Sequence, residues 1–205
     1  MKIKTILSVF LIAIATFALI SAGEKFETLS IGQKAPKSEL KMSDISGKKL
    51  ALTDIKKENG LLVIFSCNTC PFVLAWEDRY PELGNLTSKN KIGMVLINSN
   101  EARRTGDDSV EEMQKHASEK NYNCSYVVDE NSALANAFGA KTTPHVFLFD
   151  KNMKLVYRGA IDDSEGKENT PKELYLKNAL DNLAGGKEIK PQETRSVGCS
   201  IKRAS

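Results

Sequence analysis

Residues 61–71 have the sequence LLVIFSCNTCP, in which five apolar residues are followed by a serine, a cysteine pair and a proline. An unbroken apolar run that follows a turn at residues 59–60 is typical of a buried central strand. Pro71 suits the first turn of a helix, where its missing N–H is not needed. The stretch therefore predicts a strand that passes directly into a helix, with Cys67 and Cys70 at the junction.

The two cysteines are separated by Asn68 and Thr69, and this spacing predicts a redox-active pair. Cysteines three residues apart at the start of a helix can bring their sulfurs within bonding distance. Unpaired N–H groups and the helix dipole stabilise a thiolate at that place. We expect Cys67 to be the thiolate that attacks a disulfide, and the more deeply buried Cys70 to resolve the mixed disulfide.

A cysteine pair with this spacing is also found in zinc sites and in structural disulfides. A structural zinc site needs four ligands, and the chain offers one such pair and two histidines, His116 and His145. A domain of about 180 residues can bury enough apolar surface to fold without disulfides. Thiol–disulfide exchange requires no cofactor, so we expect neither a metal nor a cofactor.

Patterns of apolar and polar residues along the chain predict alternating strands and helices. The predicted order is β-α-β-α-β-α-β-β-α, and its early β-α-β units imply parallel central strands with helices on both faces. We therefore expect an α/β fold of three layers around a mixed sheet. After the strand over 61–65, the predicted elements are a helix over 71–89 with a kink near Pro81, a strand over 92–97, a helix from Ser109 to Asn121, a strand over 126–128, a helix over 131–138, strands over 146–149 and 155–158, and a helix over 172–183.

The predicted domain organisation has three segments. Residues 1–22 begin with two lysines, continue as an almost wholly apolar run and end in small residues, which is the pattern of a secretory signal peptide. The run is shorter than the ~20 residues that cross a bilayer comfortably, although an uncleaved N-terminal anchor is the alternative. Residues 24–186 form the globular domain, in which 24–60 is a β extension, and residues 187–205 form an extended tail.

The charge balance and the predicted export limit the classes of partner. Without residues 1–22 the chain has 27 basic and 26 acidic residues, which argues against a nucleic-acid partner. Export predicts the periplasm, a compartment in which disulfides persist. Contact with a membrane is expected only if the N-terminal segment stays uncleaved. We expect the partners to be proteins that carry thiols or disulfides, including a reductant or an oxidant.

A second motif places Thr143 and Pro144 directly before a predicted strand. Together with the cysteine pair, the buried strand before it and the hairpin that comes later, this motif resembles the thioredoxin superfamily over residues 30–185. The resemblance implies that Pro144 is cis and faces the cysteines, and that the backbone before it receives the substrate chain. Thr143 and Pro144 would then form the substrate-binding side of the site, together with Asn68 and Thr69.

Within that superfamily the chain is similar to exported AhpC/TSA-like redoxins, which are relatives of peroxiredoxins. The stretches that carry this resemblance are residues 67–72, 139–144 and 157–163. Alignment places Cys70 on the peroxidatic cysteine, and Cys67 where peroxiredoxins have a threonine that helps to hold peroxide. The loss of that threonine favours disulfide exchange over peroxide reduction. Ordinary thioredoxins also have a tryptophan at the position of Ser66 and a buried acid in the preceding strand, both of which are missing here.

The other two cysteines have different predicted environments. Cys199 lies in the tail, and similar Gly-Cys tails occur in this redoxin group. Cys199 is therefore a candidate accessory redox residue, or else a residue that fastens the tail through a bond to Cys124. Cys124 precedes a core strand and is predicted to be a small buried side chain.

Four polar residues outside the cysteine pair are candidates for a supporting role. His145 follows the Thr-Pro motif and could tune the pKa of Cys67 or bind copper beside the pair. We expect instead that it is an ordinary histidine at the start of a strand, with neither role. His116 and Glu77 are expected to be solvated residues on helices. Arg158 is expected to be a surface residue on a hairpin strand.

The sequence thus predicts a thiol–disulfide oxidoreductase that acts on protein partners through Cys67 and Cys70. The first alternative is a thiol-dependent peroxidase in which Cys70 reacts with the peroxide. A less favoured alternative is a copper chaperone in which Cys67, Cys70 and His145 bind the metal. The redox direction, the physiological partner and the oligomeric state do not follow from the sequence.

Overall fold

The computed structural model describes residues 26–164 and 171–204, so that the predicted signal peptide over 1–22 lies outside the described residues. None of the helices in these two ranges is long and apolar enough to cross a membrane. The strands are β1 (Met42–Asp44), β2 (Lys49–Leu50), β3 (Gly60–Ser66), β4 (Ile92–Asn98), β5 (Ser125–Val128), β6 (Thr142–Thr143), β7 (His145–Asp150), β8 (Leu155–Gly159) and β9 (Cys199–Ser200). The helices are α1 (Leu52–Ile55), α2 (Pro71–Trp76), α3 (Tyr80–Lys89), α4 (Val110–Glu119), α5 (Ala133–Phe138) and α6 (Tyr175–Ala184).

Seven strands form one mixed sheet in the order β2-β1-β5-β4-β3-β7-β8. β4 pairs in parallel with both β3 and β5, as the β-α-β order predicted. β1 runs antiparallel to β5, and β7 runs antiparallel to both β3 and β8. β1 and β2 form the N-terminal β extension, which joins the sheet beside β5. The predicted α/β fold with a central mixed sheet is therefore confirmed.

β3 lies at the centre of the sheet, and all of its residues are buried. Because side chains alternate along a strand, Leu62 and Ile64 face the core under α3, α4 and α6. Phe65 faces the opposite core under α5, where its ring lies 5.4 Å from the ring of Phe138. Each side chain of this size contributes about 1.5–3 kcal/mol when it is fully buried. The continuous apolar run in β3 is thus explained by helices on both faces of the sheet.

Two of the differences from the predicted helix boundaries have a local structural cause. The helix after the cysteine pair is interrupted before Pro81, by a turn of 3₁₀ helix at Glu77–Arg79. Pro81 lies in the first turn of α3, where its N–H would have no helical partner, so it does not disturb the helix. α6 begins at Tyr175, later than predicted, because the N–H groups before it bind the carboxylate of Asp163.

The segment after α6 runs as an extended tail along the domain. Ile189 and Ile201 are buried in it, with 6% and 5% of their surface exposed. The N–H of Thr194 donates to the carbonyl of Arg158 in β8 at 3.0 Å. Near the end of the tail, β9 pairs antiparallel with β6, which lies directly before β7. The end of the chain is therefore held at the same edge of the domain as the Thr-Pro motif.

Candidate redox site

Cys67 and Cys70 lie between β3 and α2, at the predicted junction. α2 begins at Pro71, so that Cys70 occupies the N-cap position and Cys67 precedes the helix. The expectation that Cys70 is buried more deeply than Cys67 is wrong, because the junction buries both side chains to a similar extent. Both side chains are buried, with Cys67 2% and Cys70 4% exposed.

Thr143 contacts both sulfurs of the pair. Cys67 Sγ lies 3.3 Å from Thr143 Oγ1, and Cys70 Sγ lies 3.1 Å from the carbonyl oxygen of Thr143. The peptide bond that joins Thr143 to Pro144 is cis, as the family resemblance implied. The tertiary structure thus brings together the predicted site residues Cys67, Cys70 and Thr143. Pro144 directly follows Thr143 in the chain.

The two residues between the cysteines lie in different environments. Thr69 is exposed and lines a cleft in front of the pair. Asn68 is 6% exposed, and its side chain donates to the carbonyl of Asp107 at 2.7 Å and accepts from the Tyr126 hydroxyl at 2.9 Å. The prediction that Asn68 belongs to the substrate-binding side is therefore wrong, because its side chain is turned into the protein.

The hydrogen bonds around the two sulfurs favour a thiolate on Cys70. A hydrogen bond from the Cys67 thiol lowers the pKa of Cys70 to about 4, and donors on Cys199 and Val73 add to this effect. The hydrogen bond that the Cys70 thiol donates to the Thr143 carbonyl favours the protonated form and opposes this shift. The bond to Cys70, together with burial, raises the pKa of Cys67. These contacts therefore favour Cys70 as the thiolate, whereas the sequence predicted Cys67.

A buried carboxylate that the sequence pattern did not predict lies next to the pair. Asp108 is fully buried, and its Oδ1 accepts from the N–H of Asn68 at 3.0 Å and from Asn98 Nδ2 at 2.7 Å. Its Oδ2 accepts from Asn100 Nδ2 at 2.9 Å. The sequence contains one signal for this group, because residues 98–100 lie at the carboxyl end of β4 and the carboxyl ends of neighbouring parallel strands share one sheet edge. Asp108 therefore fixes the backbone between the two cysteines.

A second buried carboxylate, Glu77, lies in the turn between α2 and α3. Its oxygens bind His116 Nε2 at 2.6 Å and Lys120 Nζ at 2.7 Å, and the Tyr122 hydroxyl donates to it at 3.0 Å. Burial opposes ionisation, but the hydrogen bonds from His116 and Lys120 lower the pKa of Glu77. The expectation that Glu77 and His116 are solvated is therefore wrong, because α4 packs its polar side chains against the turn.

His145 does not face the sulfurs. Its ring centroid lies 4.5 Å from that of Phe147, which belongs to the core on the opposite face of the sheet from Cys67 and Cys70. Burial lowers the pKa of His145 to about 3, so the side chain is neutral. Within residues 26–164 and 171–204 no group of three His, Cys, Asp or Glu side chains is arranged so that it could hold a metal ion. The hypothesis of a copper site formed by Cys67, Cys70 and His145 is therefore wrong.

Arg158 is also directed away from the pair. Its guanidinium donates to the carbonyls of Thr28 and Leu29 at 3.0 and 2.7 Å, and it pairs with Glu193 at 2.9 Å. The side chain is 21% exposed, so Arg158 is partly buried and not the surface residue that was expected. Its positive charge is used to hold the N-terminal segment and the tail on β8.

A cleft of about 230 Å³ lies in front of Cys67 and Cys70. Its wall includes Cys199 from the tail, together with the cationic side chains of Arg103 and Lys202. Cys199 is therefore brought to the pair, as expected for an accessory redox residue. All four cysteines are free thiols.

Cys124 lies elsewhere, directly before β5, and burial raises its pKa to about 12. Cys199 is opposite Thr143 in the β6–β9 pair and not bonded to Cys124. The alternative in which the tail is fastened by a bond between Cys124 and Cys199 is therefore wrong.

Comparisons with known proteins place the chain among redoxins. Residues 31–158 match the AhpC/TSA family. An uncharacterized conserved protein from Geobacillus kaustophilus is 33% identical over 87% of this chain and 94% of its own, with a TM-score of 0.81. A hypothetical protein from Sinorhizobium meliloti 1021 is 28% identical over 87% of this chain and 97% of its own, with a TM-score of 0.80.

More distant structures share the fold alone. A peroxidoxin from Mycobacterium tuberculosis is 14% identical over 77% of this chain and 97% of its own, with a TM-score of 0.58. Thiol–disulfide oxidoreductases of similarly low identity also have this fold. None of the curated proteins matches the sequence. From the match over residues 31–158 and the thioredoxin-like architecture, the chain belongs to the AhpC/TSA family.

Proposed function

We propose that the protein is a thiol–disulfide oxidoreductase that exchanges disulfides with protein partners through Cys67 and Cys70. The observation that carries this proposal is the contact of both sulfurs with Thr143, beside a cleft of about 230 Å³ that lies in front of the pair. Membership of a family of redox enzymes and the thioredoxin-like fold add support.

In the proposed reaction, the Cys70 thiolate attacks one sulfur of a partner disulfide, and the other partner sulfur leaves as a thiolate. Cys67 then loses its proton and attacks Cys70 Sγ, which forms the Cys67–Cys70 disulfide and releases the partner as a dithiol. Two electrons pass from this protein to the partner. The same steps in reverse oxidise a partner dithiol, so the direction depends on the relative reduction potentials of the two proteins.

Trapping of mixed disulfides tests the proposal and the order of attack. The Cys67→Ser, Cys199→Ser double variant should retain partners on Cys70, because neither Cys67 nor Cys199, which lines the same cleft, is left to resolve the mixed disulfide. Cys124→Ser is the matched control, since this cysteine lies away from the site, and it should trap nothing. Trapped proteins are identified by non-reducing electrophoresis and mass spectrometry.

Two outcomes of the trapping experiment would contradict the proposal. If a Cys70→Ser, Cys199→Ser variant traps partners and the Cys67→Ser, Cys199→Ser variant does not, the order of attack is reversed and Cys67 is the nucleophile. If neither variant forms a mixed disulfide with any protein, and the Cys67–Cys70 disulfide does not form in a glutathione redox buffer, the proposed activity fails.

We also propose that this exchange takes place after export, in the periplasm. The support is the basic, apolar and small-residue pattern of residues 1–22. Fractionation of cells that produce the full chain, followed by N-terminal sequencing, tests this step. A mature N-terminus near residue 23 in the periplasmic fraction is expected, an intact N-terminus in the membrane fraction indicates an anchor, and a cytoplasmic protein contradicts the proposal.

A peroxidase activity is the second candidate, and the contacts that favour a thiolate on Cys70 support it. In that reaction Cys70 attacks peroxide and becomes a sulfenic acid as water is released, and Cys67 condenses with it to give a disulfide and a second water. Arg158 does not supply charge to the pair, which weighs against this candidate. Sulfenic acid on Cys70 of the Cys67→Ser, Cys199→Ser variant after peroxide treatment would support it, and an unreactive Cys70 would eliminate it.

A further inference from the structure

The C-terminal strand places a third sulfur beside the redox pair. β9 pairs with β6 so that Cys199 lies opposite Thr143 and Ser200 lies opposite Thr142. Thr143 is the residue whose oxygens contact the sulfurs of Cys67 and Cys70. The strand pairing therefore puts Cys199 directly across from the residue that positions both other thiols.

The glycine before Cys199 allows this close approach. A Cβ atom at Gly198 would lie 2.3 Å from the carbonyl oxygen of Thr143 and 2.7 Å from its carbonyl carbon. Such distances are far inside van der Waals contact, and the atoms involved are backbone atoms that cannot rotate away. Any larger residue at Gly198 would therefore push the tail off β6.

Contacts on the far side of Cys199 hold the strand in place. Ile201 is 5% exposed, and its N–H donates to the carbonyl of Lys141 at 3.1 Å. The N–H of Lys202 donates to Asn100 Oδ1 at 2.8 Å, and its carbonyl accepts from the N–H of Ala102 at 2.9 Å. The tail is thus fixed on both sides of Cys199, which keeps its sulfur near Cys70.

Cys199 is also the most accessible of the three sulfurs at the site. It is partly exposed, whereas Cys67 and Cys70 are 2% and 4% exposed. Burial and the hydrogen bond to Cys70 raise the pKa of Cys199 to about 11, so that its thiol serves as a donor to Cys70. A partly exposed cysteine beside Cys70 can carry a disulfide between the buried pair and the outside.

We propose that Cys199 is the third redox residue of the site and transfers the disulfide between the buried pair and the outside. In the oxidised protein, solvent base removes the proton of the Cys199 thiol, and the thiolate attacks Cys70 Sγ. The Cys67–Cys70 bond breaks, Cys67 leaves as a thiolate and takes up a proton, and a Cys70–Cys199 disulfide remains. The step exchanges one disulfide for another without net oxidation. It rests on the proposed function only because the Cys67–Cys70 disulfide must form first.

The first test uses a Cys67→Ser, Cys124→Ser double variant treated with oxidised glutathione, which supplies the oxidising equivalent. Glutathione joins Cys70, and Cys199 should then displace it, so that peptide mapping finds a Cys70–Cys199 disulfide as the main product. Cys67→Ala replaces Cys67→Ser if the serine variant lacks a cooperative thermal transition. A lasting glutathione adduct on Cys70 beside a Cys199 that alkylating reagents still modify would overturn the proposal.

Gly198→Val added to the same background tests whether the β6–β9 pairing places the sulfur. The Cys70–Cys199 product should fall by about tenfold or more, since the rate of exchange depends on access of one sulfur to the other. Gly106→Ala is the matched control, because the nearest atom to a Cβ there is 3.9 Å away. An unchanged yield in the Gly198→Val variant would overturn the placement.

The third test separates failure of this inference from failure of the proposed function. In a Cys124→Ser protein equilibrated in glutathione buffer, both Cys67–Cys70 and Cys70–Cys199 disulfides should be found. If only the Cys67–Cys70 disulfide is found, the transfer step is overturned and the proposed function still stands. If only glutathione adducts are found, both the transfer step and the proposed function are overturned. Cys199→Ser should slow the reduction of the oxidised protein by reduced glutathione by about tenfold, because the remaining disulfide is buried, and an unchanged rate would overturn the inference.

Discussion

At the scale of single residues, Cys67 and Cys70 differ in their hydrogen-bond partners more than in their burial. Hydrogen bonding from Cys67, from Cys199 and from the backbone at Val73 lowers the pKa of Cys70, against the effect of burial. Cys67 instead lies near the Asp108 carboxylate, whose charge disfavours a second negative charge. The identity of the thiolate therefore depends on donors that come from two separate parts of the chain, residues 67–73 and the C-terminal tail.

The stability of the reduced protein should depend on pH through Cys70. Its folded pKa of about 4 lies below the ordinary value of 9.0, so the unfolded chain binds more protons between these values and stability rises with pH there. The contribution is complete above the unfolded pKa and is lost as the pH falls through the folded one. Urea unfolding of the wild type and Cys70→Ser under reducing conditions checks this, and a stability difference that does not change with pH across the window would contradict it.

Asp108 should matter more for stability than its neighbour Asp107. Replacing Asp108 with alanine leaves the buried donors of Asn98, Asn100 and the Asn68 backbone without an acceptor. We expect a loss of about 3 kcal/mol or more in the free energy of unfolding. Asp107→Ala is the control, since that side chain is 56% exposed, and it should cost about 0.5 kcal/mol or less in the same urea experiment. Equal losses for the two variants would show that the buried network is not required.

At the scale of elements, β3 and α2 position the pair because one is buried on both faces and the other begins with a proline. β3 pairs with β7 along six residues, from Gly60 opposite Asp150 to Phe65 opposite His145. This register brings the start of β7, and therefore Thr143 before it, next to the end of β3. The contact between Thr143 and the cysteines is thus a consequence of strand pairing.

The cluster of aromatic rings around Phe138, the last residue of α5, should contribute strongly to the stability of the sheet that holds the redox pair. The Phe138 ring lies 5.4 Å from Phe65, 5.3 Å from Phe147 and 5.6 Å from Phe149, each in an edge-to-face geometry. Phe138→Ala should lower the free energy of unfolding by about 3–5 kcal/mol because it leaves a cavity. Leu74→Ala is the control, since Leu74 is 44% exposed, and thermal unfolding of the two variants should rank them clearly. A similar small loss for both would mean that the cluster collapses around the cavity.

At the scale of the whole molecule, the tail connects the last helix to the redox site. It buries Ile189 and Ile201 and contributes Cys199, Ser200 and Lys202 to the wall of the cleft. The residues that the tail contacts come from β6, β8 and the loop after β4. The tail is therefore part of the site and part of the packed domain.

A chain that ends at Gly186 should show this role directly. Loss of β9 uncovers the edge of β6, so alkylation of Cys70 by iodoacetamide should become faster by about tenfold or more, since thiolate reactivity depends on exposure. Mass spectrometry of timed samples measures the rate, and circular dichroism checks that the shortened chain is folded. An alkylation rate equal to that of the full chain would show that the tail does not limit access to the pair.

The sequence by itself determined the β3 run, the cysteine pair, the helix start at Pro71 and the Thr143-Pro144 motif. These features are local, because strand burial, helix starts and strand starts depend on residues that are adjacent in the chain. The family resemblance added the expectation that the two motifs meet, and the pairing of β3 with β7 brings this about.

Only the tertiary structure decided the environment of the sulfurs. Asp108, Glu77 and Cys199 lie in segments that look like a polar loop, a solvated helix and a tail, and each is brought to its partners by contacts across long stretches of chain. Burial and hydrogen-bond partners set the pKa of a thiol, and both depend on residues far apart in sequence. The redox pair could therefore be predicted from residues 67–70. The position of the thiolate and the position of the third sulfur depend on how distant parts of the chain fold around the pair.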